Sequence, residues 1–483
     1  MNVLAFDFGA SSGRAILGSL KDGKLTLKEI HRFDNEPVYM NGGLYWDLPR
    51  LFHEVKQGIL KAKEEEYESI GIDTWGVDYA LITKDGKLIG NPYNYRDERT
   101  LNTRDKVGEI ISDEDLYKTS GIQTMNINTL FQFMEDKEER DFYELADKFI
   151  LVPDLFGYLL TGKVYSERTM ASTTQLLDPY TKEWNFPLIE KLVIKKSMFP
   201  RLVDAGERIG ALKEEICKEL DIGDKYITAV AGHDTASAVV AVPAQEKDFV
   251  YISCGTWSLF GTELDKPCIS DLSAQLNITN ETGYEKTTRF LKNIIGLWMI
   301  QETRRQFGRD GKDYSYADME MMAREAQPFK CFIDPDDPRF IPPGNQVQRI
   351  KDFCMETNQP IPETDGAVVR CIYESLAMKY KYTFENLKKC TGQNFETIHM
   401  VGGGTKDNFL CSMTASATGA NVVAGPIEAT AAGNIVVQLI SAGEIKDLKE
   451  AREIIANSFD VVKYEPTDDG FDKEYDRFLS IIK

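Results

Sequence analysis

The chain has 483 residues, 42% of them hydrophobic and 28% charged, which is enough apolar material for two or more domain cores. Its 77 acidic against 57 basic side chains give a formal charge of −20, a field that opposes non-specific binding to nucleic acid or to an anionic membrane. The start MNVLAFDF lacks the basic region and long apolar run of a secretory leader. No stretch approaches the roughly 20 apolar residues of a bilayer span, so a cytoplasmic protein is expected.

Strands are predicted over 3–8, 15–20 and 24–32, with Lys21-Asp22-Gly23 turning the second into the third. In the first, Phe6 and Phe8 face a core while Asp7 stands at the strand's mouth. The turn that follows, with Ala10, Ser11, Ser12 and Gly13, offers small side chains and free N–H groups, the make-up of an anion-binding concavity. Gly9 and Gly13 allow close approach of a ligand, and Arg14 adds a fork for phosphate oxygens. An ordinary hairpin turn is the alternative reading of the same residues. Leu48, Leu51, Phe52, Val55 and Ile59 recur at helical spacing behind Asp47, a suitable N-cap. Buried strands are expected over 69–74 and 77–83, and the string Gly71 to Tyr79 places polar groups among them that a sugar would satisfy.

A strand over 226–230 leads into Ala231 to Ala238, AGHDTASA, and a small-residue helix. Asp234 at that junction is either a general base or a helix N-cap. A second unit is expected to begin near Val242-Pro243. Its first strand, 249–254, runs into the turn Cys254-Gly255-Thr256, an arrangement that echoes the N-terminal one. Asn293 is expected at the head of a helix that includes Gln301. Next come a long helix from 365 to about 389, a strand over 398–402 ending in Gly402-Gly403-Gly404, and a helix over 406–418. A strand over 421–424 and a helix from about 428 complete the pattern. Alternating helices and strands favour parallel pairing. The triple glycine leaves room for a flat base or a ribose, whereas the alanines and glycines of 424–434 are read as close helix packing.

No GxxxxGK[ST] phosphate loop and no GxGxxG dinucleotide fingerprint occurs. The eight cysteines include no CxxC pair and the four histidines are scattered, so no structural metal site is expected. Cys354 and Cys371 flank one short segment and can pair, but free thiols are expected in a reducing compartment.

Taken together, DFGASSGR, SIGIDTWGVDY, YRDERT, TTTQL, HDTASAV, SCGTWSL, LKNIIGLW, VGGG and AGPIEATAAGN resemble the strings of the FGGY carbohydrate kinases, and they run from residue 7 to residue 434. The resemblance implies an α/β fold of two ribonuclease H-like domains, of the actin/hexokinase superfamily, flanking a cleft. It implies a sugar-binding domain over 1–241, an ATP-binding domain over 242–483, and transfer of phosphate from ATP to a ketose. L-rhamnulose is the first expectation for that ketose, with L-fuculose, L-xylulose and D-xylulose as rivals. A sugar-sensing, actin-like protein without transfer is the rival from another class.

By position, Asp234 is implied as catalytic base. Ala10, Ser11, Ser12, Gly13, Arg14, Thr256, Gln301 and Gly403 are implied as ATP contacts. Gly76, His233, Asp234, Thr235 and Asn293 are implied as sugar contacts, and Asp7 as the holder of Mg²⁺ through water. A monomer or small homo-oligomer without nucleic-acid or membrane partners is expected. The chain departs from the family pattern at Asp407, where an amide is usual, and at Ser412, where a glutamine is usual.

Overall fold

The computed structural model describes residues 1–139 and 141–482, and the side chains of 139, 141 and 142 are not described. Among the described residues no helix is long and apolar enough to cross a membrane. The contacts divide the chain into two units. The first comprises Met1–Gln245, Glu263–Phe290 and Ala429–Phe459; the second comprises Glu246–Thr262, Leu291–Glu428 and Asp460–Lys483. Two later segments, Glu263–Phe290 and Ala429–Phe459, thus pack with the residues up to Gln245.

The first unit is built on a six-stranded sheet in the order Arg208–Ala211, Tyr226–Thr228, Ser69–Thr74, Asn2–Phe8, Ser12–Lys21, Lys24–Asp34. Asn2–Phe8 pairs antiparallel with Ser12–Lys21 and parallel with Ser69–Thr74. Ser69–Thr74 in turn pairs parallel with Tyr226–Thr228. Strand Asn2–Phe8 is apolar at nearly every position and buried on both faces, as a central parallel strand must be. The helix Leu48–Lys61 forms because Leu48, Leu51, Val55 and Ile59 make one buried stripe. Asp47 starts it by accepting the Arg50 N–H at 3.2 Å. That stripe joins Phe6, Phe8, Leu155 and Phe156 in one core, where the Phe8 and Phe156 rings stack at 4.8 Å. A second core of the same unit gathers Tyr79, Phe133, Phe149, Trp184 and Phe199.

The helix Ala429–Ser441 lies against Asn2–Phe8, Ser69–Thr74 and the helix Asp234–Val240. A Cβ on Gly433 would run into the Ser237 backbone carbonyl, so the small residues of this segment do serve close packing. Backbone cannot move aside as a side-chain tip can. Gly433→Ala is therefore expected to destabilise the fold by about 1–3 kcal/mol, read as a lower thermal midpoint.

In the second unit the sheet runs through Thr288–Ile295, Trp257–Leu264, Val250–Cys254, Thr397–Val401, Asn421–Ala424 and Val462–Tyr464. Val250–Cys254 pairs antiparallel with Trp257 onward and parallel with Thr397–Val401, which pairs parallel with Asn421–Ala424. Each unit thus repeats one plan. Its first strand makes a tight hairpin on one side and joins a parallel pair on the other. The resemblance between the two strand-to-turn strings has this common topology as its cause. The long helix Asp365–Thr391 packs against Tyr316–Glu325 and Asn408–Thr418. It starts at an N-cap Thr364 and ends at Gly392 in the left-handed region.

One local expectation fails. Asn293 does not head a helix but lies within the strand Thr288–Ile295, and the helix begins at Trp298. The β-branched and aromatic run TRFLKNII favours a strand, and Gly296 is packed so tightly that a Cβ would meet Ser258 and Trp257.

Candidate active site

In the first unit three aspartates come together at the strand ends. Asp7 and Asp73 are direct register partners on adjacent parallel strands. Thr74 continues that second strand into the segment before the helix Asp234–Val240: its N–H donates to the Gly232 carbonyl at 2.9 Å, and Thr74 bridges to His233. Asp7 is 3% exposed and Asp73 is fully buried. Burial pushes the Asp73 carboxyl well above the ordinary carboxylate range, and the Asp7 charge, then the Asp234 charge, push it further. Asn434 counters this by donating to Asp73 Oδ2 at 2.6 Å. The other Asp73 oxygen, Oδ1, is buried with no hydrogen-bond partner among the described residues.

Asp234 is the first residue of its helix, and His233 takes the N-cap position. The Asp234 side chain does not cap the helix by a bond two or three residues on. Its Oδ1 accepts from its neighbour Thr235, from N at 2.6 Å and from Oγ1 at 3.2 Å. The side chain keeps 31% of its surface open. Burial raises its pKa, the Asp7 charge adds to the rise, and His233 and the Thr235 bonds oppose it. A carboxylate that is open on one side, raised in pKa and lightly bonded is suited to take a proton.

His233 stands between Asp234 and a buried ion pair. Its Nε2 is 3.4 Å from Asp234 Oδ1. Its Nδ1 is 3.1 Å from an Arg289 terminal nitrogen and 3.3 Å from Glu281 Oε2. His233 Nδ1 thus faces a guanidinium donor and a carboxylate acceptor at similar range, while Nε2 faces Asp234. Arg289 is fully buried and pairs with Glu281 at 2.9 Å. Gly76 completes this wall: a Cβ there would lie 3.3 Å from Thr173 Cγ2 and 3.4 Å from His233 Nε2. The Gly76 loop is held by the buried Asp78, which accepts from Trp46 Nε1 at 2.6 Å, Trp75 Nε1 at 2.9 Å and Gln132 Nε2 at 2.9 Å.

The phosphate-type turn of this unit is a hairpin closed by Gly9 N–H to the Ser12 carbonyl at 2.9 Å. Asn35 takes the Gly9 carbonyl through Nδ2 at 2.8 Å and the Ser11 carbonyl through its own N–H at 3.1 Å. Ala10 and Ser12 are partly exposed and Ser11 is exposed. A Cβ on Gly13 would enter the Phe33 ring, so packing by itself requires glycine there. Arg14 pairs side-on with Asp7 through Nη2 at 2.8 Å and Nε at 3.1 Å.

The second unit carries the remaining expected positions. The turn at Gly255 and Thr256 is pinned to the start of the helix Trp298–Arg309. The Gly255 carbonyl accepts from Leu297 N–H at 3.0 Å, and the Thr256 carbonyl accepts from Gly296 and Trp298 N–H, both at 3.1 Å. Thr256 and Gln301, in the first turn of that helix, are thereby placed on one rigid piece. Within the triple glycine the roles separate. Gly402 has φ +88° and a Cβ there would lie 3.0 Å from the Cys254 carbonyl, and a Cβ on Gly404 would enter the Cys254 side chain. Gly403 alone faces open space. Asp407, where an amide is usual, caps the helix Asn408–Thr418 through Leu410 N–H at 2.9 Å and accepts the Tyr373 hydroxyl at 2.7 Å. Asn293 is half-buried on its strand.

Sequence reasoning missed Asp73, Asn434, Glu281 and Arg289. Asp73 lay inside a flagged string, and register alone pairs it with Asp7. Asn434 closes the string read as helix packing, and Glu281 and Arg289 sit far along the chain with no local motif.

The profile of the FGGY family of carbohydrate kinases, N-terminal domain, matches residues 2–241, and that of the C-terminal domain matches residues 250–442. A rhamnulokinase of Bacteroides thetaiotaomicron is 42% identical over 486 residues, covering 100% of this chain and 99% of the relative. Those of Bacillus subtilis and Enterococcus faecalis are 42% and 41% identical; the first covers 96% of this chain and 95% of its own, the second 99% and 97%. Among solved structures, a ligand-bound xylulose kinase from Lactobacillus acidophilus superposes with a TM-score of 0.82 at 18% identity, covering 99% of this chain and 97% of that one. A Plasmodium falciparum glycerol kinase with ADP gives 0.77 at 15% identity, covering 99% and 96%. The chain has the two-domain actin/hexokinase-like fold of these enzymes, and it belongs to the FGGY family of carbohydrate kinases.

Proposed function

We propose that this chain transfers the γ-phosphoryl group of ATP to the 1-hydroxyl of L-rhamnulose, giving L-rhamnulose 1-phosphate and ADP. Full-length relatives carrying the name rhamnulokinase support the choice of ketose. The observation that carries the chemistry is Asp234, a raised and partly open carboxylate beside His233 and Gly76.

Phosphoryl transfer demands positioning and charge neutralisation more than covalent catalysis. In this reading the ketose lies against Gly76, His233 and Thr235, with Asn293 as a further contact. His233 Nε2, 3.4 Å from Asp234 Oδ1, is assigned to a sugar oxygen. Asp234 accepts the proton of the 1-hydroxyl as that oxygen attacks the γ-phosphorus. The turn Ala10–Ser12, Arg14, Thr256, Gln301 and Gly403 are assigned to ATP.

Mg²⁺ is the metal the family implies, and the residues fit it. Asp7 and Asp73 are adjacent hard-oxygen donors, and Asp73 Oδ1 is buried without a hydrogen-bond partner among the described residues. When bound, Mg²⁺ neutralises charge on the β- and γ-phosphates. Asp7 would hold the ion, and its pair with Arg14 fixes its own orientation.

The test is a coupled ADP-release assay with Mg·ATP across L-rhamnulose, L-fuculose, L-xylulose and D-xylulose. The highest kcat/KM on L-rhamnulose is the expected result. A higher value on another ketose overturns the substrate, and no sugar-dependent ADP release overturns the activity. Gly76→Ala tests the sugar wall: the added Cβ is tight against Thr173 and His233. It is expected to raise KM for the ketose by roughly tenfold, equivalent to about 1.4 kcal/mol, with a smaller change in kcat.

A further inference from the structure

The spacing of the cysteines offers no metal motif, yet the fold of the second unit collects three of them. Cys331 lies between the helices Tyr316–Glu325 and Gln346–Glu356, Cys354 lies on the latter, and Cys371 lies on Asp365–Thr391. Their sulfurs are all within 4.8 Å of one another. Exposure is 1%, 0% and 2% in that order, and none is in a disulfide.

The backbone around Cys331 is held firmly. Phe329 N–H donates to Glu374 Oε2 at 2.8 Å, Phe332 N–H to Gln359 Oε1 at 2.8 Å, and Ile333 N–H to Ser375 Oγ at 2.9 Å. Ser375 Oγ donates onward to the Cys371 carbonyl at 2.6 Å. The three sulfurs therefore converge from separately anchored pieces of chain, which is what a preorganised site requires.

We propose that Cys331, Cys354 and Cys371 form a three-coordinate thiolate site for a soft d¹⁰ cation of the zinc group. An all-sulfur set excludes Mg²⁺ and Ca²⁺, which take oxygen, and selects thiophilic ions. Metal–sulfur bonds of about 2.3 Å place trigonal sulfurs about 4 Å apart, so only a small contraction is needed. Among the described residues no His, Asp or Glu atom joins the group at that range, which leaves the coordination at three. Binding a divalent ion to three thiols releases three protons and leaves one net negative charge. Lys330 and Arg477 supply positive charge toward Cys331. The site would tie the Cys331 segment to both helices, and its role is structural.

The experiment uses the full-length chain, reduced and kept anaerobic, titrated with Cd²⁺. The expected result is a sulfur-to-cadmium charge-transfer band in the ultraviolet that saturates at one Cd²⁺ per chain, with a higher melting temperature. Cys331→Ser should weaken the band strongly, and Cys217→Ser should leave it unchanged. If Cys331→Ser does not fold, alkylation of the unmodified chain decides: Cd²⁺ should protect all three cysteines together. Absence of the band, its survival in a folded Cys331→Ser chain, or unprotected cysteines would overturn the proposal. So would a freshly isolated chain two hydrogens lighter, with two of the three cysteines joined as a disulfide.

Discussion

Asp234→Asn is expected to lower kcat by about 10²–10⁴-fold, the range that a positioned general base supplies, with the fold and ATP binding kept. Asparagine preserves the shape and the two bonds from Thr235 and removes only the capacity to take a proton. The pH behaviour gives a second readout. Asp234 must be ionised to act, and burial and the Asp7 charge raise its pKa above the ordinary 3.8. The acid limb of kcat/KM should therefore lie above the usual carboxylate range.

The stability consequence has the opposite sense. A carboxyl whose pKa is raised in the folded state binds its proton more tightly there than in the unfolded chain. Stability therefore falls as pH rises from 3.8 through the raised value. Near neutral pH the wild-type chain carries that penalty and Asp234→Asn does not, so its melting temperature should match or exceed that of the wild type. Near-normal turnover in the variant would remove Asp234 from the chemistry. A drop in melting temperature alongside lost turnover would instead assign Asp234 to the fold.

The parts legible in the sequence are those fixed by local rules. The helix at Leu48–Lys61, the N-cap Asp47, and the strands ending at Asp7 and Cys254 follow from period, capping and apolar runs. The place of Asp234 at a helix start is legible from its strand-to-helix junction. What stays hidden depends on register and on returns of the chain. Nothing near Asp73 says that it will face Asp7, and pairing across two strands decides it. Asn434 lies 361 positions from the Asp73 it bonds, on a helix whose alanines and glycines read as packing alone. Gly13 and Gly404 carry a packing constraint that no local pattern announces, since a Cβ on either would enter a neighbouring side chain. Gly403 keeps its open face because both flanking glycines take up the packing. The cysteine cluster is equally non-local, because three elements supply one sulfur each.

The largest stability effect in the first unit is expected at Glu281. Glu281→Gln leaves the fully buried Arg289 charge without its partner at 2.9 Å, and breaking such a pair destabilises by about 3–5 kcal/mol. Chemical denaturation should show this at neutral pH. Burial opposes the Glu281 charge, but Arg289 and His233 outweigh it and hold its pKa below the ordinary 4.5. Its stabilisation is therefore full above about pH 4.5 and lost as pH falls through the depressed value, and in Glu281→Gln that acid limb should vanish.

The double variant Glu281→Leu with Arg289→Met separates fold from function. Removing both charges restores much of the lost stability, because an apolar replacement of a buried pair is often near neutral. It cannot restore the contacts of Arg289 and Glu281 with His233 Nδ1, which orient the ring. Stability should recover while ketose KM stays raised. If KM recovers together with stability, the pair supports the fold alone and His233 takes its orientation from elsewhere. If neither recovers, the Arg289 bond to the Thr282 carbonyl at 3.1 Å is what holds this wall in place.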